Sequence, residues 1–489
     1  MERISCYILA LLIFAFVALT NTSCTNTTDA KPAITSSAIT DTAETAAEPD
    51  RLDELGKKNF DGRVFTILDA NDHPYMHINL PGESLNGDIV NDGLFNRDLA
   101  IEEKYNVDIQ YIQITNAKAG TDSMKNSVFA DDGAYTICIS TLLGGTLGAL
   151  APEGILMNLC GLDYLSLNEN WWSYLMYDSL RLDGKMYYTT GDISPTMYQM
   201  PACFFLNTSL AADYGIKTDF CQLVRDGKWT LDQAAEISKD LNQDLNGDGI
   251  MHASDDFFGY IHQKLGGNVT NGLLTTAGVE LSKISADGKT LSVDLVNERT
   301  LGAIEKIKKM LVDINFVEQN DVITKAFKED RALTLYHYAE SASVHLRDMK
   351  SDYLILPMPK YDEMQNDYHS YVNPWANAFV AIPSTSDPDF TGFITEALAY
   401  YSYKNIRPLA YDLTYKVKSS RDENSAEMLD IIFNTLYIDF NCIYNFGATN
   451  DALTNVLFGK QELASAMAAI QKKIDAEIDN FVKNWTAAN

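Results

Sequence analysis

Arg63-Val-Phe-Thr-Ile-Leu68 is a short run of β-forming residues, and it ends in the polar sequence Asp69-Ala-Asn-Asp72. Helical periodicity follows over residues 91–105, and residues 107–114 alternate in polarity like a second strand. A third strand is predicted over residues 135–141. Because strands alternate with helices along this part of the chain, we expect a largely parallel sheet in an α/β lobe.

The chain is long enough for a second lobe. It has 489 residues, and the roughly 440 that follow the first fifty exceed the size at which a single hydrophobic core stops growing. A second unit is predicted to start near Phe204-Phe-Leu-Asn207, with further strands over residues 331–336, 353–356 and 378–382. The apolar stripe of residues 462–485 predicts a terminal helix that covers the core.

The first 23 residues are expected to be an export signal, because Arg3 is followed by an uncharged apolar segment over residues 6–19. Cys24 comes directly after small and polar residues and resembles the lipidated cysteine of bacterial lipoproteins, although Asn21 stands where that motif favours leucine. We therefore predict a lipid anchor at Cys24. Ordinary signal cleavage nearby, with no role for Cys24, is the alternative.

Residues 24–50 are expected to form a flexible linker after the anchor. They consist mostly of Thr, Ser, Ala and Asp, so ordering them would cost more conformational entropy than their packing could offset. The anchor and the linker together predict a protein that is tethered to the cell membrane outside the cytoplasm. A flexible terminus without a function is the alternative interpretation of this segment.

The net charge of the chain disfavours one class of binding partner, the nucleic acids. A formal net charge of −29 argues against nucleic-acid binding, since phosphate recognition relies on a basic surface.

No segment after the export signal is long enough to span a membrane without charged or turn residues. The later cysteines include no CxxC pair, which disfavours a zinc knuckle or a redox site, and we expect buried free thiols.

Several stretches of the chain are similar, in order and spacing, to the extracellular solute-binding proteins of bacterial carbohydrate ABC transporters, the group that includes maltose-binding protein. They are Phe204–Ile216, Asp226–Gln233, Asp244–Gly249 with Phe258–Tyr260, Leu356–Tyr361 and Phe379–Pro383. The resemblance implies a two-lobed, periplasmic-binding-protein-like α/β fold of type II, with hinge strands between discontinuous lobes. It implies lobe one at residues 51–200 plus 330–383 and lobe two at residues 201–329 plus 384–489.

The resemblance also implies a function. The protein is expected to capture a small solute, a sugar or an oligosaccharide, and to deliver it to the permease subunits of an ABC importer without catalysis. A surface carbohydrate-active enzyme and an adhesive surface lipoprotein are the alternatives. The sequence contains no GxSxG, P-loop, HExxH or GxGxxG motif, which disfavours the enzyme classes that depend on them.

Candidate ligand-binding residues lie at the ends of predicted strands and in the segment before the second unit. A sugar has apolar C–H faces that stack on aromatic rings and hydroxyls that bond to polar side chains. Sites in open α/β sheets lie beyond the carboxyl ends of the strands. The candidates are Asp69, Asn71, Asp72, Trp171, Trp172, Tyr188, Asp192, Tyr198, Gln199, Tyr336, His337, Trp375 and Asn377. Tyr338, Glu340 and Asn373 occupy the same strand ends. Core packing is the alternative for each aromatic residue, and a structural role is the alternative for His337.

Residues 244–255 have the spacing of an EF-hand-type calcium loop, D-x-[DN]-x-[DN]-G with an acid at position twelve. Gly249 allows the sharp turn of such a loop, and Asp255 stands where an EF-hand has a glutamate. We predict one structural calcium ion, and the expected ligands are Asp244, Asn246, Asp248, the carbonyl of Ile250 and Asp255. A polar surface loop without a metal is the alternative.

Overall fold

The computed structural model of the protein describes residues 50–72, 80–82, 84–311, 320–410 and 423–488. The predicted export signal, Cys24 and the predicted linker up to residue 49 lie outside the described residues. Within the described ranges, none of the helices combines the length and the apolar character that a membrane crossing requires.

Helices and strands alternate along most of the chain. The strands are β1 (Arg63–Ala70), β2 (Val107–Ile114), β3 (Ile137–Ser140), β4 (Ala202–Asn207), β5 (Phe258–His262), β6 (Lys283–Ile284), β7 (Leu291–Ser292), β8 (Ala332–Tyr338), β9 (Tyr353–Pro357), β10 (Ser370–Tyr371), β11 (Phe379–Ala381) and β12 (Leu436–Tyr437). The α-helices are α1 (Arg51–Glu54), α2 (Ile89–Tyr105), α3 (Ala117–Ala130), α4 (Leu147–Leu150), α5 (Tyr174–Ser179), α6 (Thr208–Asp213), α7 (Phe220–Arg225), α8 (Leu231–Ser238), α9 (Gly267–Thr276), α10 (Glu298–Met310), α11 (Asn320–Lys328), α12 (Ser341–Val344), α13 (Pro388–Asn405), α14 (Glu423–Asn434), α15 (Phe440–Tyr444), α16 (Thr449–Leu457) and α17 (Leu463–Ala487).

The first sheet has the strand order β11-β3-β1-β2. β1 runs parallel to β2, with Arg63 opposite Val107, and parallel to β3, with Ala70 opposite Ser140. β11 pairs antiparallel with β3, so that Phe379 also lies opposite Ser140. The predicted α/β lobe with a largely parallel sheet is confirmed, and the carboxyl ends of β1, β2 and β3 meet at one edge.

The second sheet has the strand order β5-β8-β4-β9. β5 is parallel to β8, whereas β4 is antiparallel to both β8 and β9. Every residue of β4, β5 and β8 is buried, as expected for strands that are covered on both faces. Tyr338 at the carboxyl end of β8 lies opposite Ala202 at the amino end of β4.

The strand partners differ from the predicted lobe assignment. β8 and β9, which the resemblance placed in lobe one, pair with β4 in the second sheet. Helix α13, which the resemblance placed in lobe two, packs against α1 and α2 beside the first sheet. Local periodicity can predict that a segment is a strand. The strand with which it pairs depends on contacts with residues that are distant in the sequence, and local periodicity does not report these contacts.

The terminal helix α17 packs on the protein core. Its buried stripe includes Leu463, Met467, Ile474, Ile478 and Phe481. The Trp485 ring contacts the Tyr187 ring at 4.6 Å between centroids and the Phe440 ring at 5.0 Å. The prediction that this helix covers the core is therefore confirmed.

Candidate ligand site at the strand ends

Trp375 is an exposed indole at the edge where the strands of the first sheet end. Its side chain is 46% exposed. The backbone before it is fixed to the sheet, because Leu142 donates a hydrogen bond to the carbonyl of Pro374 at 3.0 Å. The indole lies against Gly144, where an added β-carbon would be 3.4 Å from two ring carbons. An exposed aromatic surface is thus held in place beyond β3.

Polar groups adjoin this indole. A β-carbon added at Gly145 would lie 3.1 Å from Cε of Lys118, so the lysine stem lies beside the glycine pair. Lys118 follows Ala117, and the Ala117 N–H donates to Oδ1 of Asp72 at 2.9 Å. Both Lys118 and Asp72 are exposed. The edge of the first sheet therefore offers an aromatic face, an ammonium group and a carboxylate.

The side chain of Asn373 connects the Trp375 loop to the second sheet. Its Oδ1 accepts the Trp375 N–H at 3.0 Å, and its Nδ2 donates to the Tyr338 hydroxyl at 2.9 Å. A backbone bridge between Pro201 and Val372 joins the same two regions. The exposed indole therefore lies where the chain passes between the ends of the two sheets.

Glu340 lies two residues beyond the end of β8. It is partly buried, and its carboxylate has no hydrogen-bond or ion-pair partner within the described part of the chain. Burial raises its pKa from the usual 4.5 to about 7. Its N–H donates to the carbonyl of Gln199 at 2.8 Å, and Gln199 Oε1 is itself buried without a partner among the described residues. Near the end of the second sheet, two acceptors therefore have no donor among the described residues.

Four candidates from the first half of the chain lie in the interior. Asp69 and Asn71 are fully buried at the end of β1, and Asn71 Nδ2 donates to Asp69 Oδ1 at 2.6 Å. Trp171 and Trp172 are buried as well, and Trp172 Nε1 donates to Glu396 Oε2 at 2.9 Å. For Trp171 and Trp172 the structure agrees with the alternative of core packing, and the side chains of Asp69 and Asn71 are not exposed either.

Asp192 belongs to a buried ion pair. Arg407 donates from Nε to Oδ1 at 2.8 Å and from Nη2 to Oδ2 at 2.6 Å, and the Tyr198 hydroxyl donates to the same carboxylate. Burial raises the pKa of Asp192, while the charge and hydrogen bonds of Arg407 oppose that effect. Tyr188 is also buried, with its hydroxyl 3.2 Å from that of Tyr444. These three candidates join parts of the core.

Tyr336, His337 and Asn377 are buried too. His337 pairs through Nδ1 with Ser341 Oγ, and its Nε2 lies 3.1 Å from Nε2 of Gln263. Burial lowers the pKa of His337 to about 3, so the ring is neutral near pH 7. Asn377 makes its hydrogen bonds inside the protein. A structural role, the alternative named for His337, agrees with this geometry.

The predicted calcium loop lies on the surface between α8 and β5. Both carboxylate oxygens of Asp244 accept backbone N–H groups, from Gly247 at 2.6 Å and from Gly249 at 2.8 Å. Asp248 Oδ1 accepts the N–H of Ile250 at 2.8 Å. Asn246 Oδ1 accepts from the N–H of Asp248, and Asp255 accepts from Ser254 Oγ. The loop is therefore coiled so that its polar side chains turn back toward its own backbone.

The acid that closes this loop is Asp256, which the motif did not include. It is fully buried and accepts the N–H groups of Leu245 at 2.8 Å and His252 at 2.7 Å. Within the described ranges, no three His, Cys, Asp or Glu side chains are clustered so that they could hold a metal ion. Backbone N–H groups thus donate to the carboxylates of Asp244, Asp248 and Asp256.

A separate surface cavity of about 720 Å³ lies between α8 and α10. Its lining includes Tyr260, Glu236 and Lys309. Neither Trp375 nor Glu340 lines it, so this cavity is distinct from the candidate ligand site.

Comparison with solved structures identifies the fold. The chain is similar to a cyclo/maltodextrin-binding protein complexed with maltotetraose, with a TM-score of 0.58 and 13% identity over 85% of this chain and 97% of that chain. It is also similar to an ABC substrate-binding protein from Listeria monocytogenes in complex with cycloalternan, with a TM-score of 0.52 and 12% identity over 86% and 100% of the two chains. For UspC of M. tuberculosis the TM-score is 0.51, with 13% identity over 84% and 99% of the two chains.

These likenesses confirm the predicted two-lobed, type II periplasmic-binding-protein fold. No family model and no curated protein sequence matches the chain. Asp72 follows β1, Trp375 lies beyond the end of β3, and Gln199 precedes β4. Neither Gly144 nor Lys118 is among the candidates predicted from the sequence, although a glycine pair directly after a predicted strand can indicate a surface on which an aromatic ring lies.

We predict that Glu340→Gln changes how stability depends on pH. The pKa of Glu340 is raised in the folded state, so the stability that this group contributes is present below its unfolded pKa and is lost as pH rises toward 7. The melting temperature of the variant should therefore exceed that of the wild type by a few degrees at pH 8 and match it near pH 4.5. Melting curves across this range provide the measurement.

Glu103→Gln is the matched control, because Glu103 is an exposed residue of α2. Its melting curves should follow the wild type at every pH. A constant difference between Glu340→Gln and the wild type across the pH range would show that the Glu340 carboxyl titrates normally.

Proposed function

We propose that this protein is a solute-binding protein that works outside the cytoplasm, captures a sugar or an oligosaccharide, and delivers it to an ABC importer. The exposed indole of Trp375 at the strand ends carries this proposal, since about half of this large apolar side chain is exposed. A sugar ring could stack its C–H face on the indole, while its hydroxyls reach Asp72, Lys118 and Glu340.

The proteins that share the fold support an oligosaccharide as the ligand. One of them holds maltotetraose and another holds cycloalternan. Both are described as binding proteins, which favours capture over catalysis. We therefore propose that the chain binds its ligand without turnover, between lobes that close on it as in hinge-type domain closure.

We expect Trp375→Ala to weaken sugar binding by about 10- to 100-fold, because it removes the apolar surface on which the sugar would stack. Titration calorimetry against a panel that includes maltotetraose gives the affinities. Phe129→Ala is the control, because Phe129 is 70% exposed on α3 and should contribute nothing to binding.

Equal losses in the two variants would remove Trp375 from the site. If the wild type binds no sugar in the panel, the proposal of a sugar-binding protein fails and the adhesive surface lipoprotein gains support. Release of shorter sugars during the titration would instead favour the carbohydrate-active enzyme.

A lipid anchor at Cys24 is the second part of the proposal. The apolar segment before Cys24 and the Thr- and Ser-rich segment after it support export followed by tethering. Cys24→Ala should move the protein from the membrane fraction to the soluble extracytoplasmic fraction, which immunoblotting of the two fractions measures. Cys160→Ala, a partly exposed cysteine of the body, should leave the protein in the membrane fraction. Retention of Cys24→Ala in the membrane would rule the anchor out.

A structural calcium ion in residues 244–255 is the third part. Alternating oxygen ligands, the glycines at 247 and 249, and the exposure of the loop support this proposal. With calcium at a hundred times its dissociation constant, the folded state gains about 2.7 kcal/mol. The ligands would be Asp244, Asn246, Asp248, the Ile250 carbonyl and Asp255.

Chelation of calcium should lower the melting temperature by about 5 °C or more. Calcium should restore it better than magnesium, because magnesium demands near-octahedral geometry. Asp248→Ala should remove the difference between chelated and calcium-loaded samples, whereas Asp213→Ala, an exposed acid at the end of α6, should keep it. An unchanged melting curve of the wild type on chelation would contradict the proposal.

A further inference from the structure

Glu340 and Trp375 are anchored to residues that bond directly to each other. Glu340 follows Tyr338 by two residues, and the Tyr338 hydroxyl accepts the hydrogen bond from Asn373. The same Asn373 side chain accepts the N–H of Trp375. The segment of the second sheet that carries Glu340 is therefore joined through Tyr338 and Asn373 to the loop that carries the exposed indole.

Two acceptors near this junction, the Glu340 carboxylate and Gln199 Oε1, have no donor within the described part of the chain. A partly buried carboxylate without a donor is unfavourable, because burial removes water and nothing in the protein replaces it. Glu340 is such a group within the described part of the chain, and the adjoining Gln199 offers a second buried acceptor, Oε1, without a described partner. A ligand that carries several hydroxyl donors matches this pair of acceptors better than one that carries only acceptors.

Other titratable groups lie on the elements that neighbour Glu340. Burial lowers the pKa of His337 on β8 to about 3 and that of His262 on β5 to about 4, and it also lowers the pKa of His345 beyond α12. Burial raises the pKa of the Cys203 thiol on β4, so that it stays protonated. Before β4, Asp192 is paired with Arg407.

We propose that the ligand donates hydroxyl hydrogen bonds to the ionised Glu340 carboxylate, so that binding releases a proton to solvent and strengthens as pH rises through neutrality. The inference rests on the proposed function. In the free protein the buried carboxyl is protonated in about half of the molecules at pH 7, since burial raises its pKa to about 7. Hydrogen bonds to the charged form favour ionisation, and the proton leaves when the ligand binds.

Titration calorimetry with maltotetraose, or with the panel sugar that binds most tightly, tests this inference. For the wild type, the affinity should be about tenfold higher at pH 8 than at pH 6. At pH 7, titrations in two buffers of different ionisation enthalpy should give about half a proton released for each ligand bound.

Glu340→Gln keeps the shape of the side chain but cannot ionise. It should bind more weakly than the wild type at pH 8, bind equally at pH 6 and pH 8, and release no proton. Glu103→Gln should behave like the wild type in all three respects. Glu340→Asp keeps a carboxylate and should therefore retain the pH dependence of sugar binding. If it does, the loss of pH dependence in Glu340→Gln comes from the missing charge and not from misfolding.

The possible negative results distinguish a failure of the proposed function from a failure of this inference about Glu340. If no panel sugar binds to the wild type, the proposed function falls and this inference falls with it. If a sugar binds with the same affinity at pH 6 and pH 8, or takes up a proton on binding, the proposed function stands and the role of Glu340 is overturned. A pH dependence that persists unchanged in Glu340→Gln would also overturn it.

Discussion

The antiparallel pairing of β11 with β3 is the constraint on which the candidate site depends. It joins Phe379 to Ser140, residues that are far apart in the sequence, and so returns the chain to the first sheet after it has built the second. The loop before β11 is thereby carried past the carboxyl end of β3, where the indole of Trp375 meets Gly144. Gly144 has φ of 78°, and this left-handed backbone together with the missing side chain allows the ring to lie close.

The sequence predicted where the strands lie along the chain better than it predicted which strands pair with each other. β2 spans the predicted residues 107–114, because alternation in a half-exposed strand is a local signal. The placement of β8 and β9 could not be predicted in the same way, since strands that are buried on both faces carry no alternation that reports a partner. The resemblance to known solute-binding proteins implied the two-lobed architecture, but it placed these two strands in lobe one, apart from β4.

Prediction of the site was limited by the direction in which side chains point. Asp69 and Asp72 both follow the predicted first strand, yet Asp69 is buried and Asp72 is exposed. Trp172 is an attractive ligand residue by type, but its N–H is taken by Glu396 in the core. Such partners come from more than two hundred residues away, and a local pattern contains no information about them. Trp375 differs because the residues around it leave its face uncovered.

Asp192 and Glu340 are carboxylates in different surroundings, and the surroundings determine whether the charge of each is compensated within the described part of the protein. Asp192 receives two hydrogen bonds from Arg407, so its charge is compensated inside the protein, and removal of either partner would leave a buried charge alone. Glu340 has no partner within the described part of the chain, so no cationic side chain described there compensates its charge. A ligand that stacks on Trp375 and also bonds to Glu340 would contact groups anchored to both sheets. Its binding energy would then favour the arrangement in which the two sheet ends lie close together, because a ligand stabilises the state in which it makes more contacts.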